Sequence, residues 1–331
     1  MSLQLVGGFG SPYSRKMRAL LRYRRIPFRW VLRGGPDDRD LPQPPVRLIP
    51  VLIFAYEDGS SDAMIDSTPQ IRRLEEEYEG RSVVPSDPAL AFLDFLVEDY
   101  ADEWLTKAMF HYRWWRQADI DKASHVLPLD RDPTLAPEAL AEAARYISER
   151  QVGRLGVVGS NVTTRPIIEA SYLRLLAILD ERLQAGPFLF GARPSASDFG
   201  LFGQLSQLVL FDPTPVALCE ERAPRVIAWA HWTEDLGWLE PGDEGWLGRD
   251  EAAALLRPLL AEIGRVYAPF LLANAEALLA GAEEVLCTID GAEWRQAPFP
   301  YQGKCLQWLR GAYAKLDAGD RAWVDGALVG T

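Results

Sequence analysis

Ser11 stands directly before Pro12 in the run Gly7-Gly8-Phe9-Gly10-Ser11-Pro12-Tyr13-Ser14. Proline is favoured at the first helical position, so Ser11 reads as an N-cap whose hydroxyl faces the unpaired amides of the first turn. Those amides and the helix dipole create a locally positive place that would stabilise an anion such as a thiolate. A hydroxyl donating to that thiolate would lower its pKa further. The alternative is that Ser11 only caps a helix. A phosphate loop does not fit: the third glycine of a dinucleotide fingerprint is missing and no Gly-Lys-Ser/Thr follows.

Two later pairs carry related chemistry. Ile49-Pro50 ends a Pro-rich stretch and precedes a strand, which makes it a candidate cis bond. A cis bond would leave the Ile49 backbone free to pair with an extended peptide; a trans proline would only start the strand. Asp66-Ser67 lies between a strand and a helix. It either caps that helix or holds a carboxylate on its amide and hydroxyl, with Asp66 pairing an ammonium.

A third region, Glu98 to Trp115, is dense in acids and aromatics. Tyr100, Trp104, Lys107 and His111 fall three or four apart and share one helical stripe. That stripe is either packed core or the wall of a pocket. Asp102, Glu103 and His111 lack the Glu-x-x-His pairing of di-iron helices, so no metal is expected. His125 and His231 have no evident partners, and the sequon Asn161-Val162-Thr163 has meaning only in a secreted chain.

These residues need elements to position them. Residues 3–6 predict a buried strand, 12–25 a helix, Phe28–Leu32 a second strand and 33–48 a Pro-rich loop. Val51–Phe54 and Asp62–Ile65 flank Asp58-Gly59, a hairpin signal, and Thr68–Tyr78 predicts a helix. A βαβ unit followed by an antiparallel pair and a helix predicts a small mixed sheet with helices on its faces. Beyond Pro88 the pattern is helical: one long helix over 89–117, a polar loop over 119–137, then helices at 138–152, 166–184, 196–211 and 215–235. Residues 237–249 read as a connecting loop. The stretch 250–281 is helical, interrupted at Pro258 and Pro269. Asp290-Gly291 predicts a hairpin between Val285–Ile289 and Ala292–Gln296, and 303–317 a last helix. The final segment reads as an appendage to a two-domain body.

The length of 331 residues suits about two domains. No run approaches the roughly 20 apolar residues of a membrane span, and the N-terminus lacks the pattern of a secretion signal. Three cysteines without metal-ligand spacing fit a reduced, cytoplasmic setting. The net charge is −12, which disfavours nucleic acid and anionic membranes as partners. Residues 1–48 nevertheless hold ten Lys/Arg against three Asp, a basic segment that suits a small anionic ligand unless the arginines are simply solvated.

Taken in order, Ser11-Pro12-Tyr13-Ser14-Arg15-Lys16, Ile49-Pro50-Val51-Leu52 and Asp66-Ser67 resemble the glutathione-site series of the glutathione transferase superfamily. Gly186–Leu205, with the S-x-x-D capping box of Ser195 and Asp198, resembles that family's second-domain signature. The resemblance implies an α+β thioredoxin-like domain over 1–82 and an all-α domain over 89–236, with 237–331 an atypical C-terminal extension containing helices and a β-hairpin. It implies a catalytic role for Ser11, with Ser14 as the alternate, and glutathione as cosubstrate held by Ile49, Pro50, Asp66 and Ser67. Tyr100 and Trp104 would border the pocket of an apolar, electrophilic second substrate. A cytoplasmic homodimer is implied too. Lacking cysteine at 11 and 14, the chain is not expected to exchange disulfides. The other reading is a non-catalytic member that binds a ligand or partner on the same fold.

Overall fold

The computed structural model describes residues 3–56, 58–242 and 245–330. Its first part is β1 (Leu3–Gly7), α1 (Pro12–Tyr23), β2 (Phe28–Leu32), β3 (Val51–Ala55), β4 (Ser61–Ile65) and α2 (Ser67–Glu77). The sheet order is β2-β1-β3-β4, with β1 and β2 parallel and the other pairs antiparallel, the thioredoxin-like arrangement. Alternation along the strands sends side chains to opposite faces. Val6, Val31, Val51 and Ile53 form a small cluster on one side, while Leu3, Leu5 and Leu52 join the main core with Met17, Leu20 and Leu21 of α1. The β3–β4 turn has Gly59 at φ +83°, as its Asp-Gly pair predicts; Glu57 lies outside the described residues.

The long helix expected over 89–117 is α3 (Pro88–Tyr100) and α4 (Thr106–Trp115), joined by one π-helical turn at Ala101–Leu105. The polar loop expected over 119–137 is mostly a helix, α5 (Gln117–Leu129). Its buried side is narrow and only partly apolar: Asp119, Ala123 and Ser124. Asp119 accepts from the Thr214 amide at 2.8 Å and from the Thr214 hydroxyl, and Pro128 falls in the last turn. Apolar periodicity does not mark such a helix. There follow α6 (Pro137–Val152), a 3-10 turn (Leu155–Val158), α7 (Arg165–Ala185), α8 (Ala196–Leu208), α9 (Pro213–Arg222) and α10 (Pro224–Glu234). The single helix expected over 215–235 is thus two, because Pro224 opens a new one.

Helix α8 is buried along its whole length and starts on the expected Ser195–Asp198 capping box. It fastens the two units together. A side chain at Gly203 would meet the Pro12 carbonyl at 2.8 Å, so the glycine is what lets α1 lie this close.

The remainder comprises α11 (Arg249–Glu262), a π turn (Ile263–Tyr267), α12 (Ala268–Ala280), β5 (Val285–Ile289), β6 (Ala292–Gln296), α13 (Pro300–Lys315) and α14 (Ala318–Leu328). Pro258 sits inside α11 without ending it, and Pro269 lies in the first turn of α12. The hairpin turns on Asp290 and Gly291, both at positive φ. Part of the connecting loop, Asp243 and Glu244, lies outside the described residues. The segment is not an appendage: Leu259, Tyr267, Phe270 and Trp294 are buried in the same core as α3, α7 and α8. Among the described residues no helix is long and apolar enough to cross a membrane.

Candidate functional site

A cavity of about 850 Å³ opens where the three parts meet. The sheet side contributes Ile49, Pro50, Asp66 and Ser67; the long helix contributes Asp102, Glu103, Thr106 and Lys107; α13 contributes Tyr301, Lys304 and Trp308. The Ile49–Pro50 peptide is cis. Among the described residues no backbone group pairs with the Ile49 amide. Asp66 sits at φ +77°, an uncommon backbone for a residue with a side chain, and Ser67 opens α2 behind it. Four of the residues expected at the site therefore share one cavity wall, although they come from two separate segments.

Ser11 caps α1, its hydroxyl accepting from the Ser14 amide at 3.3 Å. It is half-buried and lies outside the cavity lining; Tyr13 of the same turn lines it instead. The Tyr13 hydroxyl donates to the Asp102 carbonyl at 2.7 Å, tying the start of α1 to the π turn. Ser14 is fully buried and accepts from the Gly8 amide at 3.3 Å. Tyr100 and Trp104 are core residues. Tyr100 packs edge-on against Tyr267. The Trp104 indole donates to the Ser171 hydroxyl at 2.9 Å and stacks 5.1 Å from Trp294. Neither lines the cavity, because α12 and the hairpin cover that side of the helix.

Beneath the cavity floor lies a charged network with Lys16 at its centre. Its buried ammonium donates to Asp102 at 2.6 Å, Glu98 at 2.7 Å and the Ser67 hydroxyl at 3.1 Å. Thr68 donates to the same Glu98 oxygen at 3.0 Å. Burial works against the Lys16 charge, but Asp102 and Glu98 outweigh it and its pKa is raised. Burial pushes the Asp102 carboxyl up to about 6 despite the lysine beside it, and among the described residues its Oδ1 has no hydrogen-bond partner. At the next position, burial reinforced by Asp99 and Asp102 pushes Glu103 up to about 8. Lys107, buried against Phe270 and Trp294, is brought down to about 7 by desolvation. It donates to the Gln296 side chain at 3.1 Å and the Val158 carbonyl at 3.2 Å.

The α13 wall escaped the sequence reading. The Tyr301 hydroxyl donates to Asp66 Oδ2, and Gln302 donates to the Glu103 carbonyl at 3.2 Å. Tyr301, Lys304 and Trp308 fall at helical spacing and share a face of α13; that spacing was the available signal. Much of the basic first segment is paired from within the protein. Arg15 and Arg18 both pair with Glu234, Arg24 with Glu75 at 2.7 Å and Arg25 with Glu240. Among the described residues no group of three or more His, Cys, Asp or Glu side chains is placed to hold a metal ion.

Residues 5–82 match the family model for the glutathione S-transferase N-terminal domain, and residues 137–231 that for the C-terminal domain. No curated protein matches the chain. Solved structures that resemble it include a glutathione S-transferase from Methylobacterium radiotolerans in complex with glutathione sulfonate. That one is 16% identical, with TM-score 0.40, over 71% of this chain and 91% of that one. A Tau class glutathione S-transferase from mango is 20% identical, with TM-score 0.42, over 70% and 87%. A GST-like protein from Pseudomonas syringae is 19% identical, with TM-score 0.44, over 70% and 66%.

Proposed function

The chain belongs to the glutathione S-transferase superfamily, and from that premise we propose that it binds glutathione and activates its thiol for attack on an electrophilic, apolar small molecule. One observation carries this reading: Ile49, Pro50, Asp66 and Ser67 line a single cavity wall, with the Ile49–Pro50 bond cis. In this assignment residues 1–82 hold glutathione. The Ile49 backbone pairs with its middle residue, the Ser67 amide takes the γ-glutamyl carboxylate and Asp66 takes the ammonium. Glutathione supplies the nucleophilic sulfur. Ser11 and the amides at the start of α1 hold that sulfur as its anion. Ser14, buried and accepting from the Gly8 amide, is the alternate for that role in this proposal. Residues 89–236 and the extension 237–331 then shape the second pocket. A cytoplasmic homodimer belongs to the same proposal.

Calorimetric titration with glutathione, alongside turnover of a panel of aryl halide and enal electrophiles, tests it. Saturable binding with turnover that falls in Ser11→Ala is the expected result; no binding at millimolar glutathione would overturn the proposal. A second reading has its own support. Tyr301 already occupies one oxygen of Asp66, and Ser11 lies outside the cavity lining. Both suit a non-catalytic ligand-binding member of the fold, for which the same titration would show binding without turnover.

A further inference from the structure

Two lysines are buried, and their surroundings differ. Lys16 meets two carboxylates and a hydroxyl, which hold it as an ammonium. Lys107, the second residue of α4, pairs with no carboxylate among the described residues. Its acceptors are both neutral: the Gln296 side chain at 3.1 Å and the Val158 carbonyl at 3.2 Å. Three rings enclose the amine, with the centroids of Phe270, Trp294 and Trp104 at 4.1, 5.6 and 6.0 Å. An ammonium taken out of water without a counter-charge gives up its proton readily, and desolvation brings this group down to about 7. The neutral amine has two N–H bonds. The two acceptors use both and leave the nitrogen lone pair unshared.

Lys107 lines the cavity, and so do Val158, whose carbonyl holds the amine, and Glu103, four positions earlier. Glu103 lies in the π turn that leads into α4; such turns are frequent at functional sites. Of the acids on the cavity wall, Glu103 is the one whose charge acts on Lys107. Asp66 is bonded to Tyr301 and Asp102 to Lys16. Burial keeps the Glu103 carboxyl largely protonated near neutral pH. An uncharged amine and a protonated acid on one wall are the two groups that condensation with a carbonyl compound requires.

We propose that Lys107 is a catalytic amine that captures an apolar aldehyde as an imine, with Glu103 as the proton donor. The Nζ lone pair forms the bond to the carbonyl carbon, and one amine proton passes to the carbonyl oxygen, giving a carbinolamine. Glu103 protonates the new hydroxyl, the C–O bond breaks and water leaves. A protonated C=N bond remains beside the Glu103 carboxylate, and its one N–H still serves Gln296 or Val158. No oxidant or reductant takes part, and water returning by the same route releases the aldehyde. The rings around the amine select an aryl or alkyl body over a charged one.

The test incubates the full chain at neutral pH with 3-phenylpropanal and sodium cyanoborohydride, which reduces an imine to a stable secondary amine. Peptide mass mapping then reads each lysine. Lys107 should be labelled about tenfold faster than the exposed Lys122, Lys304 and Lys315, as a desolvated amine is the better nucleophile at this pH. Propanal, with no ring to rest on the aromatic wall, should label it more slowly. Lys107→Met should remove the dominant adduct and leave those on the exposed lysines level. Glu103→Gln keeps the bulk and removes the acid, so labelling of Lys107 should slow about tenfold or more; circular dichroism checks that this variant folds. Lys107 left unlabelled in the unaltered chain, or labelled no faster than the exposed lysines, would overturn the proposal. A rate unmoved in folded Glu103→Gln would overturn the proton assignment. Glutathione is absent throughout, so the outcome is independent of the transferase reading.

Discussion

The hydroxyl of Tyr301 lies 2.5 Å from Asp66 Oδ2, joining α13 to the start of α2 across 235 positions of sequence. The contact fixes which way the Asp66 carboxylate faces, and it places the extension at the end of the cavity assigned to the γ-glutamyl group. Tyr301→Phe removes the donor and keeps the ring. A hydrogen bond to a charged group is worth about 1.5–3 kcal/mol when well buried, and less at this half-buried position. The variant should bind glutathione about three- to tenfold more weakly in calorimetry, its fold unchanged by circular dichroism. An unchanged affinity would detach Tyr301 from that end of the cavity.

Lys16 is the single cation between two buried carboxylates, Glu98 and Asp102. Lys16→Met keeps the bulk and removes the charge, leaving both acids uncompensated. Breaking a buried ionic cluster in this way costs about 3–5 kcal/mol. Urea denaturation should show that loss. Glu98→Gln and Asp102→Asn added to Lys16→Met should recover part of it, because the stranded charges are then gone.

Acidity should stabilise the protein over the mildly acid range. Burial pushes Glu103 up to about 8, and Asp94 and Asp99 up to about 7. Between the ordinary carboxylate range and those values the folded chain keeps protons that the unfolded chain releases. Stability therefore falls as pH rises from about 5 to about 8. Lys107, brought down to about 7, acts in the opposite sense at higher pH. There the unfolded chain holds the extra proton, so this group's contribution grows from about 7 upward. Melting curves should show a lower midpoint at pH 8 than at pH 5.5. The slope should be shallower in Glu103→Gln, and an identical slope would show that Glu103 ionises normally.

Two glycines in helices should respond oppositely to alanine. At Gly203 the new methyl meets the Pro12 carbonyl at 2.8 Å, and backbone must move; overpacking of this kind costs about 1–3 kcal/mol. At Gly311 of α13 an added methyl would meet no other described part of the protein within 4 Å beyond its own helix backbone, and helix propensity favours alanine by up to about 1 kcal/mol. Thermal denaturation of the pair checks both signs. A stable Gly203→Ala would mean that α1 and α8 can separate at little cost.

Legibility in the sequence tracked how local each feature is. The starts of α1 and α2 and the turn at Asp290-Gly291 are written in two or three adjacent residues, since capping and turn chemistry operate within one turn. The cis Ile49–Pro50 bond was likewise flagged by its setting. Tyr100 and Trp104 are buried outside the cavity lining, and a helical stripe of aromatics reads the same whether a cavity or another helix lies against it. Helix α5 was missed because Asp119 and Ser124, not apolar groups, face inward. The spacing of Tyr301, Lys304 and Trp308 marks a shared helix face, but where that face docks depends on where the chain returns far along the sequence, which no local pattern records.

The burial of Trp104 beneath Phe270 and Trp294 bears on how this chain is made. While the ribosome is still adding residues 249–296, the earlier helices have nothing to cover their aromatic side. A nascent chain at that stage leaves this aromatic strip uncovered, and exposed apolar surface of that kind favours association. The late segment thus completes the interior of the earlier one, and biosynthesis must reach it before the molecule can close.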